Sequence, residues 1–253
     1  MAKIPDVKGV FLDYGGVVED ACPDEDQYLK GVSIISSILN DAGIAVDQET
    51  LAGKLRSGQK AYDDWYQDKG FKELPNEEIW TKFFLKEESG NSDVQRKIGE
   101  KAEELSSIYE YYLYKRRPPA EMMNILKTLF QNRYILALVS NTMTRTLIPA
   151  RLKKYGVARY FTTVVLSVEE GVRKPNDAIF KPAFRQTGLA PSQCIYIGDT
   201  LSRDVEGSRR AGFKRSILIR SGLTDIKDSN YHGDAKPDHV IENIRDLKQL
   251  LLS

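Results

Sequence analysis

Val10-Phe11-Leu12-Asp13-Tyr14-Gly15-Gly16-Val17-Val18 is the stretch on which the fold turns. Three consecutive apolar residues suit a short strand covered on both faces, and the double glycine makes the chain bend once the Asp13 carboxylate has been presented. Asp13 thus stands at the carboxyl end of a strand, the edge where open α/β sheets bind ligands. Alone, the same residues also fit an Asx-type turn in which Asp13 bonds only local N–H groups.

Working outward, the strand reads as Lys8 to Asp13, and five more strand-like segments follow: Tyr134 to Val139, Thr162 to Leu166, Cys194 to Ile197, Arg215 to Ile219 and a weaker Asp238 to Ile241. They alternate with helical patterns in most of the chain. Continuous apolar runs such as Ile135-Leu136-Ala137-Leu138-Val139 belong to strands buried on both sides, which means a parallel sheet. The fold class expected is α/β.

Between the first two strands, roughly a hundred residues read as helix only. Tyr28, Val32, Ile35, Leu39 and Ala42 repeat at helical spacing, with Gly43 as a stop. Leu51, Leu55, Tyr62 and Trp65 mark a second helix, Ile79, Trp80, Phe83 and Phe84 a third, and Val94, Ile98, Leu105, Tyr109 and Tyr112 a fourth. Such an insert forms a small bundle of its own, ending at the stiff, basic Lys115-Arg116-Arg117-Pro118-Pro119. The division expected is a core of residues 1–19 and 117–253 and a helical insert of 20–116. Tyr109, Tyr111, Tyr112 and Tyr114 read as packing residues rather than a stacking platform. The segment from Ser221 to Pro237, rich in Gly, Asp and Asn, reads as surface loop.

The 253 residues, 41% of them hydrophobic, suffice for a large core with a smaller insert. Lys and Arg total 37 against 36 Asp and Glu, so no net field draws the chain to nucleic acid or to an anionic membrane. Cys22 and Cys194 suit free thiols in a reducing compartment. No apolar run approaches the ~20 residues that span a bilayer, and Met-Ala-Lys-Ile-Pro-Asp lacks a signal-peptide pattern. The expectation is a soluble, cytoplasmic protein.

Each of the first four strands ends in a group useful to anion chemistry. Asp13 follows the first. Ser140-Asn141-Thr142 follow the second, with hydroxyl and amide donors for phosphate oxygens. Gly171-Val172-Arg173-Lys174-Pro175 follow the third, where Lys174 is a compact cation before a helix. The fourth delivers Gly198-Asp199 and, five residues later, Asp204. Singly, each has a structural alternative: a helix cap at 140–142 or at Asp199, an exposed lysine at 174. Together they balance charge. A carboxylate attacks a phosphate dianion only if something offsets the repulsion, and Lys174 with Mg²⁺ held by Asp13, Asp199 and Asp204 would do so.

Asp13, Ser140-Asn141, Lys174-Pro175 and Gly198-Asp199 with Asp204 resemble the four motifs of the haloacid dehalogenase-like (HAD) superfamily, and the helical insert resembles its type C1 cap. The resemblance covers essentially the whole chain. It implies a Rossmann-like core under a mobile cap and a Mg²⁺-dependent hydrolase acting through an aspartyl-phosphate. By position, Asp13 would be nucleophile and metal ligand and the Gly15 carbonyl a second ligand. Ser140 and Lys174 would hold phosphoryl oxygens, Asn141 lying beside them. Asp199 would bind metal directly, and Asp204 through water or as support.

The departure is Gly15, where family phosphatases usually carry a second Asp that protonates the leaving alcohol, a step worth ~10²–10⁴-fold. Glu19 or Asp20 is the expected substitute, unless water or an undemanding leaving group suffices. The reading is therefore a phosphomonoester hydrolase for a small phosphorylated metabolite. The alternatives are a C–X hydrolase of dehalogenase or phosphonoacetaldehyde hydrolase type, with Lys54 or Lys60 as the Schiff-base lysine, or a non-catalytic protein that binds a phospho-ligand or a protein. His232, His239 and Arg203 stay outside the expected site, Arg203 being expected to pair with a neighbouring carboxylate. Substrate identity and oligomeric state are open at this point.

Overall fold

A computed structural model describes residues 3–117 and 120–252; Pro118 and Pro119 of the expected basic segment lie outside it. Its strands are β1 (Gly9–Leu12), β2 (Asp20–Pro23), β3 (Tyr114–Arg117), β4 (Ile135–Ser140), β5 (Phe161–Leu166), β6 (Cys194–Gly198), β7 (Arg215–Ile219) and β8 (His239–Ile241). Six of them form one parallel sheet in the order β5-β4-β1-β6-β7-β8. These are the six strands expected from sequence, with ends shifted by a residue or so. The order reverses direction between β1 and β6, the crevice in which doubly wound sheets bind ligands. Asp13 and Asp199 leave the sheet on either side of it.

Alternation of side chains explains the continuous apolar runs. Val10, Leu12, Leu136, Leu138, Ile195 and Ile197 pack on one face with the chain's last turns, Leu247 and Leu250. Phe11, Ala137, Val139 and Tyr196 pack on the other with Phe180 and Phe213. The central strands β1 and β6 are buried on both faces, as a parallel sheet requires.

The helices are α1 (Glu25–Asp41), α2 (Gln48–Asp68), α3 (Asn76–Ile79), α4 (Ser92–Tyr112), α5 (Ala120–Gln131), α6 (Leu147–Lys154), α7 (Ser167–Glu170), α8 (Lys181–Thr187), α9 (Glu206–Arg210), α10 (Thr224–Lys227) and α11 (Leu247–Leu251). Side-chain oxygens of Asp24, Asp47 and Asn91 cap α1, α2 and α4 by accepting from the third residue on. A wider turn, Trp80–Phe84, extends α3. The apolar stripes of α1, α2 and α4 converge with Trp80 and Phe84 into a separate core, in which Trp80 Nε1 donates to Ser106 Oγ at 2.8 Å.

Two expectations need correction. The insert is not helix alone: β2 and β3 pair antiparallel at its neck, Asp20 opposite Arg117 and Pro23 opposite Tyr114. Asp20-Ala21-Cys22-Pro23 and Tyr114-Lys115-Arg116-Arg117 are too short and too mixed to give a period-2 apolar signal. The basic triplet is also a strand of that neck and not simply a stiff end to the insert: Arg116 is covered on buried Glu19, while Lys115 and Arg117, largely exposed, pair with Asp24 and Asp20. Among the described residues, no helix is long and apolar enough to cross a membrane.

Candidate active site

The turn after β1 is closed by a small set of backbone bonds. Val18 and Glu19 donate to the Tyr14 carbonyl, and Gly16 donates to that of Glu19. None of these uses the Gly15 carbonyl. Gly16 has φ +86°, and a Cβ on it would lie 2.6 Å from Asp199 Cγ and closer still to Oδ2. Glycine is thus needed there twice, for the left-handed backbone and for the approach of Asp199. A Cβ on Gly15, by contrast, would meet nothing nearer than Lys227 Nζ at 4.0 Å.

Lys174 Nζ is the hub of the site. It lies 2.8 Å from Asp13 Oδ1, 2.7 Å from Asp204 Oδ1 and 2.9 Å from the Tyr196 hydroxyl, and the residue is 2% exposed. Burial alone would lower its pKa, but the Asp13 and Asp204 carboxylates more than offset that and raise it. On Asp204, burial is outweighed by Lys174, Arg203 and hydrogen bonds, which hold the carboxyl at about 2. Its Oδ2 accepts from the N–H groups of Asp199 and Thr200 and from Thr200 Oγ1. Both Asp204 oxygens are therefore engaged by protein donors, which suits a supporting rather than a direct ligand. Asp13 differs. Burial pushes its carboxyl above the usual range against the pull of Lys174, and Asp204 and Asp199 add to the push. Among the described residues Lys174 is its one side-chain partner, so Oδ2 remains open.

Asp199, fully buried, faces a partner that sequence reading missed. Lys227 Nζ, from α10, lies 2.8 Å from its Oδ2 and 3.2 Å from its Oδ1. Ser221 Oγ donates to Oδ2 at 2.8 Å, and Thr224 Oγ1 to the Asp199 carbonyl at 2.7 Å. Asp228 accepts from the N–H groups of Leu201 and Ser202. The first part of the stretch expected to run over the surface, Ser221 to Asp228, thus packs against the site, while residues 229–237 stay largely exposed. The strand-end rule, continued to β7, was the available signal.

Ser140 ends β4, 4% exposed, and among the described residues its hydroxyl has no protein hydrogen bond. Asn141 also grips the Lys174 backbone: its amide donates to the Lys174 carbonyl at 3.1 Å and accepts from the Lys174 N–H at 2.8 Å, so it positions Lys174. The Thr142 hydroxyl donates to Glu110 of α4 at 2.6 Å, and Glu110 also accepts from the Met143 N–H. Burial pushes the Glu110 carboxyl up to about 7. Glu103, also on α4, accepts from Thr144, Arg145 and Thr146. The loop after β4 is thus held by two carboxylates of the insert.

The other expected proton carriers are engaged elsewhere. Glu19 is fully buried between Arg151, Arg116 and Tyr155, and Asp20 pairs with Arg117 at 3.2 Å. Lys54 pairs with Glu87 and Glu88, and Lys60 with Asp64, all in the insert. Arg203, expected to pair with a carboxylate, makes no ion pair among the described residues, although its charge helps to lower Asp204.

Asp13, Asp199 and Asp204 are all buried, and one carboxylate oxygen from each lies within 4.8 Å of the others. A hard oxygen donor set of that size fits a hard divalent cation such as Mg²⁺.

The profile of the family described as haloacid dehalogenase-like hydrolase matches residues 48–218. Glyceraldehyde 3-phosphate phosphatase of Methanopyrus kandleri is 37% identical over 97 residues, 38% of this chain and 41% of that one. The protein of the same name from Methanothermobacter thermautotrophicus is 31% identical over 135 residues, 53% and 59% of the two chains. The chain spans about half the length of these curated relatives. Among solved structures, a 2-haloacid dehalogenase from Pseudomonas syringae pv. Tomato superposes with a TM-score of 0.63 at 19% identity, over 96% of this chain and 97% of that one, a likeness of fold.

Proposed function

The chain belongs to the haloacid dehalogenase-like hydrolases, and from that premise we propose that it is a Mg²⁺-dependent phosphomonoester hydrolase for a small phosphorylated metabolite. The observation that carries the reading is the asymmetry of Asp13: one oxygen is anchored on Lys174, and the other takes no side-chain hydrogen bond among the described residues.

In this reading Asp13 Oδ2 attacks phosphorus as the bond from phosphorus to the leaving oxygen breaks, giving an aspartyl-phosphate. Lys174 fixes the angle of attack and offsets the charge that accumulates. Ser140, its hydroxyl unclaimed by protein, donates to a phosphoryl oxygen. Asn141 keeps Lys174 in register. Asp13, the Gly15 carbonyl and Asp199, with Asp204 supporting, would hold a divalent cation, which would supply charge neutralisation of the phosphoryl group. Water then attacks the same phosphorus, releases phosphate and regenerates the carboxylate.

No carboxylate stands at position 15 to protonate the leaving oxygen, and Glu19 is tied up by Arg151 and Arg116. The substrates favoured are therefore those whose leaving group departs as a stable anion or takes its proton from water. The phosphatase names of the relatives support this reading over C–X bond cleavage. The protein acts without nucleic acid or membrane in this account, consistent with its balanced charge, and in the cytoplasm.

The test is phosphate release with Mg²⁺ from a panel of aryl, anomeric and alkyl phosphates, with phosphonoacetaldehyde included. Asp13→Asn should lower every rate on the order of 10⁴-fold. Equal rates in parent and variant would remove Asp13 as nucleophile.

A further inference from the structure

Asp199 is the carboxylate most directly committed to metal in the reading above, yet a lysine already sits on both of its oxygens. Lys227 Nζ is 2.8 Å and 3.2 Å from them, and the Lys227 side chain is 16% exposed against none for Asp199. The contact is built from several sides. Ser221 donates to Oδ2 and Thr224 to the Asp199 carbonyl, while Asp228, beside Lys227, ties the end of α10 to the chain at Leu201 and Ser202. The ammonium also passes beside position 15, 4.0 Å from where a Cβ on Gly15 would stand, an ordinary van der Waals distance.

Charge explains what the contact does. Asp13 and Asp204 share Lys174, so Lys227 is the remaining paired cation for the third buried carboxylate. An ammonium and a divalent cation on the same two oxygens repel, and each lowers the other's occupancy. We propose that Lys227 is a tethered cation that competes with the divalent metal for Asp199, so that metal enters only as the Lys227 side chain swings out. The inference rests on the metal site of the proposed function and adds to it a residue that sets the metal concentration at which the site fills.

The test is Mn²⁺ binding to the whole chain without substrate, followed by loss of the free-ion paramagnetic resonance signal. Lys227→Met should tighten binding about tenfold or more, the equivalent of one charged hydrogen bond removed from competition. Lys227→Gln, which keeps a donor for Asp199, should tighten it too, and it serves if the methionine variant fails to fold. Binding that appears only in the Lys227 variants also supports the proposal. Unchanged or weaker binding in both folded variants overturns it. Asp199→Asn separates the two readings. If that variant binds Mn²⁺ like the parent, or if no protein of the set binds it, the metal site itself fails and this inference with it. If it loses binding while the Lys227 variants do not tighten theirs, the competition alone fails.

Discussion

Glu73 accepts a hydrogen bond from Ser167 Oγ at 2.6 Å, so a carboxylate of the helical insert ends inside the half that carries the sheet. Arg173, the neighbour of Lys174, pairs with the same carboxylate at 3.2 Å, and its guanidinium carbon lies 3.9 Å from the centre of the Tyr66 ring. Removing one member of a buried pair strands the other. Arg173→Met should therefore cost about 3–5 kcal/mol in urea unfolding. With Glu73→Gln added, the total should fall well short of the sum of the single losses. Simple additivity would mean that the two charges do not support each other.

Gly15 and Gly16 are neighbours with opposite tolerances. Gly16→Ala forces a side chain onto a φ of +86° and into Asp199, and should cost about 2–4 kcal/mol. Gly15 lies outside the left-handed region and has space, so Gly15→Ala should leave stability unchanged or raise it by up to about 1 kcal/mol. Denaturant midpoints of the two variants, measured side by side, check the contrast.

Gly15→Asp should supply a proton donor two residues after Asp13. Its expected signature is selective: alkyl phosphates gain, up to roughly 10²-fold, and aryl phosphates with good leaving groups gain little. The new carboxylate would also stand near Lys227 and draw it from Asp199. A uniform fall across all substrates would mean that position 15 is needed for its space.

Glu110 gives the protein a pH dependence. Its ordinary value is 4.5 and burial raises it to about 7, so the folded chain holds a proton that the unfolded chain releases across that interval. Its contribution to stability is greatest below pH 4.5 and falls as pH rises toward 7. Glu110→Gln, which mimics the protonated form, should melt higher than the parent at pH 8, and the difference should vanish near pH 5. A difference that does not change with pH would place the ionisation elsewhere.

The sheet was legible because both of its faces are buried: runs such as Ile135 to Val139 have no polar interruption, and each ends at a residue of distinct chemistry. Asp13, Lys174, Asp199 and Asp204 could be found for the same reason, since strand ends converge on one edge. Lys227 could not be found by periodicity. It closes a four-residue helix with turn formers around it, and what brings it to Asp199 is a tertiary contact over 28 residues of sequence. The ribbon of β2 and β3 escaped because its pairing is sealed by salt bridges and not by an apolar face. The occupation of Glu19 by Arg151, 132 residues away, was invisible for the same physical reason.

The neck ribbon has an architectural consequence. Because Pro23 and Tyr114 are partners in register, residues 24–113 form, to the rest of the chain, the loop of one very long hairpin. Loop closure grows only with the logarithm of length, so exchanging that loop for a four-residue turn changes the closure term by only ~3 kcal/mol. The two ends would still meet at hydrogen-bonding distance. A graft made at this junction could carry a different insert without re-threading the sheet.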